Sequence, residues 1–278
     1  PRTLTPKPYN LILSDMACTV NSPEEAVHLM DVDIEVVDEE RLFTKIAHFA
    51  SNAETHKVMY VNAHCMVISQ QDEAYRKILR KAQLVYADGI SLVWAGRVMG
   101  QYLPCRLTAA DFMPRFFARF AERGIRVYLL GASPGVADRA AKRLKRDSPR
   151  LEIVGTHHGY FSQRDSMNLI KEINAARPHV LMVGMGVPYQ EKWVEEYSDQ
   201  ISVPVVWTVG ALFDFLSGRL ARGPQWLLDS GFEWLCRLLA EPRRLGRRYV
   251  LGNLIFMWYA LRWKMRYHRR GAENAEVE

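Results

Sequence analysis

From Asp31 onward the chain repeats one unit, a short apolar run rich in β-branched residues followed by an amphipathic pattern of helical period. "DVDIEVV" precedes "DEERLFTKIAHFA", "KVMYVNA" precedes "CMVISQQDEAYRKILRKA", "LVYAD" precedes "GISLVWAGRVMG", and "RVYLLG" precedes "PGVADRAAKRLKRD". The alternation continues through "LEIVG", "HVLMVGMG" and "VPVVWTVG", each with its own helix. Strands that are apolar at nearly every position are buried on both faces, and strands separated by helices pair in parallel. The pattern predicts an α/β fold, a doubly wound, mainly parallel sheet of Rossmann-like form over residues 31–218. Residues 1–30 carry three prolines ahead of position 10 and form an N-terminal extension, with a short helix expected in "SPEEAVHLM". After Gly218 the spacing is helical and rich in large aromatics, so residues 219–278 form a helical C-terminal appendage.

In open parallel sheets, ligands bind beyond the carboxyl ends of the strands, where loops and helix N-termini converge. That rule selects Asn62 and His64 after "KVMYV", Asp88 and Gly89 after "LVYA", the loop "GASPG" from Gly131 to Gly135, and "GMGVPYQ" from Gly184 to Gln190. Asp88 falls between a buried strand and an apolar helix, where an ionised carboxylate is costly unless something uses or pairs with it. It can cap the following helix or act as a general base at the mouth of a site, and the two roles compete for the same oxygens. "GASPG" offers backbone N–H groups and a helix dipole to an anion or a nucleotide, and reads equally as an ordinary turn with Pro134 in the first helical turn. "GMGVPYQ" repeats the design, with Gly184 and Gly186 permitting close approach of a ligand and Gln190 on the first turn of the next helix. Two such loops on one rim favour a nucleotide-sized site.

Other polar motifs carry less. Arg106, in "LPCRLTAAD", can hold a phosphate or pair with Asp111. His157 and His158 in "GTHHGYF" are adjacent on one extended segment, which points them to opposite faces, so no metal is assigned. Asp31 and Asp33 form the sequence's D-x-D, at a strand start rather than in a strand-end loop.

The net charge of +6 is concentrated. Between Cys236 and Arg270 stand ten Lys and Arg residues against one acid, Glu241. Inside that segment "YVLGNLIFMWYALRW" is shorter than the roughly 20 apolar residues of a spanning helix, is flanked by arginines, and contains Trp258, Tyr259 and Trp263. This is the pattern of an interfacial helix drawn to an anionic membrane surface. A nucleic-acid patch would leave the aliphatic side chains without a partner, so no nucleic acid is expected. A helix packed wholly on the core is the alternative. The four cysteines are widely spread without metal-ligand spacing, and the first residues lack the apolar core of a signal peptide. The expected setting is cytoplasmic, peripheral on the inner face of the cell membrane.

Taken in order, "VNAH", "ADGISLVWAGRVMG", "RLTAAD", "YLLGASPGVADRAAKRL", "LEIVGTHHGYF", "VGMGVPYQEKW", "TVGALFDFLSG" and "GFEWLCRLLAEPRRLGRRY" resemble the WecG/TagA/CpsF family of bacterial glycosyltransferases, family 26, over roughly Val32 to Tyr249. The resemblance implies transfer of a sugar from a UDP-sugar donor to a polyprenyl-diphosphate-linked sugar acceptor, with inversion and without a metal or other cofactor. Members of the family build surface and exopolysaccharides. The resemblance places the catalytic acid on Asp88, the strand-end asparagine on Asn62, the phosphate or substrate arginine on Arg106 and the first-turn glutamine on Gln190. Arginines that close the site at the membrane correspond to Arg222 and Arg237, with Arg247 and Arg248 as further candidates. Tyr60 stands where the family often has Thr, Ala109 where it often has Gly, and Arg222-Gly223-Pro224 where it has Arg-Ala-Pro. Tyr60 and Ala109 would line the pocket, leaving N-acetylmannosamine, its uronic acid and a hexose open as the donor sugar.

In the mechanism this implies, Asp88 deprotonates the acceptor hydroxyl and Asn62 orients a substrate. Without a divalent ion, the leaving diphosphate needs arginines or helix N-termini to meet its developing charge. Two other classes fit the sequence less well. A nucleotide-binding oxidoreductase would need the G-x-G-x-x-G motif and a ribose-binding acid, both missing here. A non-enzymatic peripheral membrane protein would leave the glycine-rich strand-end loops without a purpose.

Overall fold

The apolar runs become strands because helices cover both of their faces. The computed structural model describes residues 26–103, 107–220 and 242–275, and within the last stretch the side chains of 251–266. In chain order the elements are β1 (Ala26–Leu29), β2 (Val32–Glu35), α1 (Glu39–Ala50), β3 (His56–Val61), α2 (Ala63–Gln71), α3 (Glu73–Lys81), β4 (Leu84–Ala87), α4 (Ile90–Met99), α5 (Ala109–Glu122), β5 (Val127–Gly131), α6 (Val136–Asp147), β6 (Ile153–His157), α7 (Gln163–Ala176), β7 (Val180–Gly184), α8 (Tyr189–Glu196), β8 (Val205–Thr208), α9 (Leu212–Leu216) and, after residues outside the description, α10 (Pro242–Ala275). The strands form one sheet in the order β1-β2-β4-β3-β8-β7-β5-β6, parallel except for β1 at the edge. The fold is the expected doubly wound α/β sheet with a C-terminal helix.

Alternation along the strands sorts the core into two layers. Val58, Leu84, Tyr86, Val127, Leu129, Val180, Met182, Val205 and Trp207 point to one face, against α1, α5, α6 and α9. An aromatic cluster of Phe43, Phe112, Phe116, Tyr86 and Trp207 fills this layer, and Trp207 Nε1 donates to Tyr86 Oη at 3.3 Å. Each such side chain, fully buried, contributes on the order of 1.5–3 kcal/mol. On the opposite face Met59, Val61, Val85 and Ala87 pack under α2, α3, α4 and α10. Tyr128, Leu130, Leu181, Val183 and Val206 pack there under α7 and α8.

Two local expectations are corrected. Within "SPEEAVHLM" the described residues Ala26–Leu29 form a strand, with alternating exposed and buried positions, that pairs antiparallel with β2. The hairpin turns on Met30 and Asp31, at φ +50 and +65, so its left-handed turn uses residues that do not announce one. The sheet therefore begins before Asp31. The single helix read in "CMVISQQDEAYRKILRKA" is two: Asp72, at φ −123 and ψ 102, ends α2 and caps α3 by accepting from Tyr75 N at 3.0 Å.

Candidate active site

The sheet's topology selects one crevice. The connection from β5 to β6 runs through α6 on the first face, whereas that from β7 to β8 runs through α8 on the second. The loops after β5 and β7 thus diverge from adjacent strands, the geometry that opens a ligand crevice at carboxyl ends. These are "GASPG" and "GMGVPYQ".

Backbone and side-chain contacts join the rim from strand to strand. Asp88 N donates to Val61 O at 2.8 Å, setting Asp88 beside Asn62. Tyr60, on β3, packs over Gly210, where an added Cβ would lie 2.4 Å from Tyr60 Oη. Gly210 N donates to the Gln190 side chain at 3.2 Å, and so does Gly186 N at 3.1 Å. Ala132 N donates to Gly184 O at 2.8 Å, and Gly159 N to Ala132 O at 2.9 Å. Asn62, Asp88, Gln190 and the two glycine loops therefore share one edge, as the strand-end rule anticipated, and Tyr60 joins them there.

At the position of Asn62 the chain ends β3 and starts α2, and the side chain is the N-cap: Oδ1 accepts from His64 N at 3.0 Å and Cys65 N at 3.2 Å. The cap fixes the orientation of the carboxamide. His64 enters through its backbone, in the first turn of α2. Asp88 is half-buried and is not the N-cap residue of α4; that position falls to Gly89, at φ +94, a conformation glycine adopts without strain.

The glycines divide by purpose. Gly131 and Gly184, expected to admit a ligand, instead admit neighbouring backbone: a Cβ on Gly131 would lie 2.2 Å from Gly184 O, and one on Gly184 would lie 2.7 Å from Gly210 O. Gly186 at φ +87 meets nothing within 4 Å and is open to the crevice, and Gly135 at φ +76 is the N-cap of α6. The Val187–Pro188 peptide beside Gly186 is cis.

Gln190, expected to touch substrate, is completely buried, because its carbonyl takes both loop N–H groups while its Nε2 donates to Glu191 Oε1 at 2.6 Å. Glu191 is equally buried, and burial pushes its carboxyl up to about 7 against the pull of the Gln190 hydrogen bond. Reading the sequence missed Glu191, since an acid in a helix's first turn looks like ordinary surface. It also missed Arg219, whose Nη1 donates to Ser133 Oγ of "GASPG" at 2.9 Å and to Asp214 Oδ1 at 3.1 Å. One cation thereby ties a rim loop to α9.

His157 and His158 do not point apart. The chain leaves the extended form after His157, and the rings pack with centroids 4.5 Å apart. Among the described residues no group of three His, Cys, Asp or Glu is placed to hold a metal ion. Arg106, Arg222 and Arg237 lie outside the described residues; the backbone of residues 247 and 248 belongs to α10. Leu107 N bonds Ala87 O at 3.0 Å, which brings the "RLTAAD" segment to the end of β4.

The appendage helix begins with Pro242 in its first turn, where a missing N–H costs nothing. Phe256 and Ala260 are buried against α2's layer with Trp263 packed beside them. On the opposite side Leu251, Leu254, Ile255, Trp258, Leu261 and Met265 are exposed. Lys264 Nζ donates to Val98 O of α4, whose Trp94 and Val98 are exposed too. The helix is therefore not packed wholly on the core. Among the described residues no helix is long and apolar enough to cross a membrane.

Comparison with known proteins agrees with this geometry. The glycosyl transferase WecG/TagA/CpsF family matches residues 27–270. An N-acetylglucosaminyldiphosphoundecaprenol N-acetyl-beta-D-mannosaminyltransferase of Bacillus spizizenii is 30% identical over 179 residues, covering 64% of this chain and 69% of that protein. The enzyme of the same name from Staphylococcus aureus is 27% identical over 223 residues, covering 80% of this chain and 87% of its own. The chain belongs to the WecG/TagA/CpsF family and is a glycosyltransferase.

Proposed function

We propose that the protein transfers N-acetylmannosamine from its UDP-sugar to an N-acetylglucosaminyl-diphosphate-polyprenol acceptor, with inversion at the anomeric carbon, on the inner surface of the cell membrane. The observation that carries this reading is that Asn62, Asp88 and both glycine loops stand along one edge of the sheet, at the carboxyl ends of its strands, in a chain of this family. The similar enzymes from Bacillus and Staphylococcus carry the donor and acceptor in their names.

Asp88 acts as the general base. Its carboxylate takes the proton of the acceptor hydroxyl as that oxygen attacks the anomeric carbon, and UDP leaves from the opposite side. Asn62 holds a substrate through Nδ2, because the cap already occupies its carbonyl. The diphosphate charge is met by the N-terminus of α6, the open backbone at Gly186 and Arg106, with Arg222, Arg237, Arg247 and Arg248 closing over it. On this reading no divalent ion is needed. Residues 219–278 act as a separate appendage: the exposed stripe of α10, beside Arg262 and Arg266, rests on anionic lipid and brings the site to the acceptor.

The test is to incubate the protein with a panel of UDP-sugars and a short-chain N-acetylglucosaminyl-diphosphate lipid, with and without chelator, then read the products by mass spectrometry and NMR. A β-linked N-acetylmannosaminyl product that survives chelation supports the proposal. Transfer of another sugar, or loss of transfer with chelator, overturns the donor or the metal-free step respectively.

A further inference from the structure

Beneath the rim lies a closed polar cluster that the transfer chemistry does not use. Glu191 on α8, Thr208 at the end of β8 and Tyr75 on α3 are all fully buried. Glu191 Oε2, Thr208 Oγ1 and Tyr75 Oη each lack a hydrogen bond of normal geometry. Thr208 is nevertheless near enough to favour the ionised Glu191, and Tyr75 faces Glu191, Cys65 and Tyr60. Among the described residues no cation acts on the carboxyl. Lys57 and Lys81 are paired with Glu195 one turn along α8, and Lys192, next in the chain, with Asp72, all at 2.6 Å. A carboxylate so placed has neither solvent nor countercharge, whereas a neutral carboxylic acid has one O–H to give to the orphaned oxygens.

The acid's other oxygen bears on the active site. By accepting from Gln190 Nε2, Glu191 Oε1 determines which way the Gln190 amide faces, and hence that its carbonyl receives both Gly186 N and Gly210 N. Turned the other way, the amide would present N–H to N–H on two loops at once. Those loops follow β7 and β8, and Gly186 is the open glycine of the crevice.

We propose that Glu191 is a positioning residue whose buried, uncharged carboxyl locks Gln190 and through it the Gly186 and Gly210 loops, so that ionisation, which drives the carboxylate out of the cluster toward water and away from Gln190, loosens the rim and weakens donor binding. This rests on the reading of the crevice as the UDP-sugar site. The direction of its titration agrees, since burial holds the proton on well above the ordinary carboxylate range, to about 7. Tyr75 is held neutral by burial and stays out of this titration.

The test is calorimetric affinity for UDP-N-acetylglucosamine and UDP-N-acetylmannosamine between pH 5.5 and 8.5, in the wild type and in Glu191→Gln. A nucleotide sugar's diphosphate is a diester and does not titrate in this range. Wild-type affinity should fall at least tenfold across neutrality, while Glu191→Gln, which keeps both an acceptor for Gln190 and a donor for Thr208, should bind with no such fall. Thr208→Val, which removes the hydroxyl that favours ionisation, should move the wild-type midpoint to higher pH and serves if Glu191→Gln fails to fold. Parallel pH profiles in wild type and Glu191→Gln, or an unmoved midpoint in Thr208→Val, would overturn the proposal while leaving the UDP-sugar site intact. Failure of the wild type to bind any UDP-sugar at any pH would overturn the site itself, and this inference with it.

Discussion

The rim of the sheet and the C-terminal helix both break the usual partition of polar and apolar groups, in opposite directions. At the rim Gln190, Glu191 and Thr208 are polar and wholly buried, and Gln190 and Glu191 are hydrogen-bonded to each other. On α10 Leu254 is 65% exposed and Trp258 53%, in an apolar stripe that the described residues leave uncovered. Buried polar groups cost stability and are tolerated where geometry must be fixed; exposed apolar stripes cost solubility and are tolerated where a surface must be met. On the proposed function, the contrast corresponds to precision in one region and attachment in the other. Substitutions at the rim should therefore change chemistry or folding, and substitutions on the stripe should change location alone.

The largest effect should come from Asp88→Asn. Removing a general base costs on the order of 10²–10⁴ in turnover, and the isosteric amide leaves the backbone bond from Asp88 N to Val61 O intact. Expected is a collapse of kcat with UDP-sugar affinity and melting temperature near wild type. A large fall in melting temperature with proportionate loss of activity would instead make Asp88 part of the scaffold and erase the rim's claim to chemistry.

Gly131→Ala sharpens the rim from the folding side. The new methyl would sit 2.2 Å from Gly184 O at φ +145, so β5 and β7 must separate. Overpacking and backbone strain together should cost about 3 kcal/mol, read as a shifted urea midpoint. Gly186→Ala meets no atom within 4 Å and costs only its φ of +87. It should lose donor affinity with less loss of stability than Gly131→Ala.

How far these regions could be read from sequence follows from the same contrast. Both faces of the sheet are covered by helices, so period and composition announced β3 through β8, and the strand-end rule gathered Asn62, Asp88, Gly186 and Gln190 on one edge. What it could not announce was direction within the rim. Gly131 and Gly184 looked open to a ligand and are filled by the backbone of Gly184 and Gly210 respectively, while Gln190 looked like a ligand contact and is a clasp. Such facts depend on pairing between strands far apart in sequence. The β1 hairpin was hidden for a local reason, because Met30 and Asp31 take left-handed turn positions without a glycine. On α10 the apolar side chains run around much of the helix, so spacing alone did not say which stripe, Phe256 and Ala260 or Leu254 and Leu261, meets the core.

Leu254→Glu combined with Leu261→Glu tests the attachment region. Each side chain buried in lipid contributes about 1.5–3 kcal/mol, so the pair should weaken binding to anionic vesicles more than tenfold. Stability should stay within about 0.5 kcal/mol, as for exposed substitutions generally. Transfer to a short, soluble acceptor should be retained while transfer to a long-chain lipid in vesicles falls. Undiminished vesicle binding would break the contrast at its weaker end.

The smallest effect concerns stability against pH and separates a buried acid from an ordinary surface one. Glu191 keeps its proton in the fold up to about 7, above the ordinary value of 4.5, so between those values the native state holds a proton that the unfolded chain has lost. The native state binding more protons, stability falls as pH rises through that window and levels off above about 7. Glu191→Gln has no such proton, so its melting temperature should gain on the wild type from pH 5 to pH 8 by a few degrees, the gap opening before neutrality. Asp72 gives the opposite sign at the protein surface: its hydrogen bond from Lys192, at 2.6 Å, holds its carboxyl below the ordinary range, so that pair contributes above the unfolded value and is lost on acidification. In Asp72→Asn the deficit should therefore appear at neutral pH and vanish in acid. The two variants diverging in these directions would show that the rim stores its polar groups uncharged and the surface stores them charged.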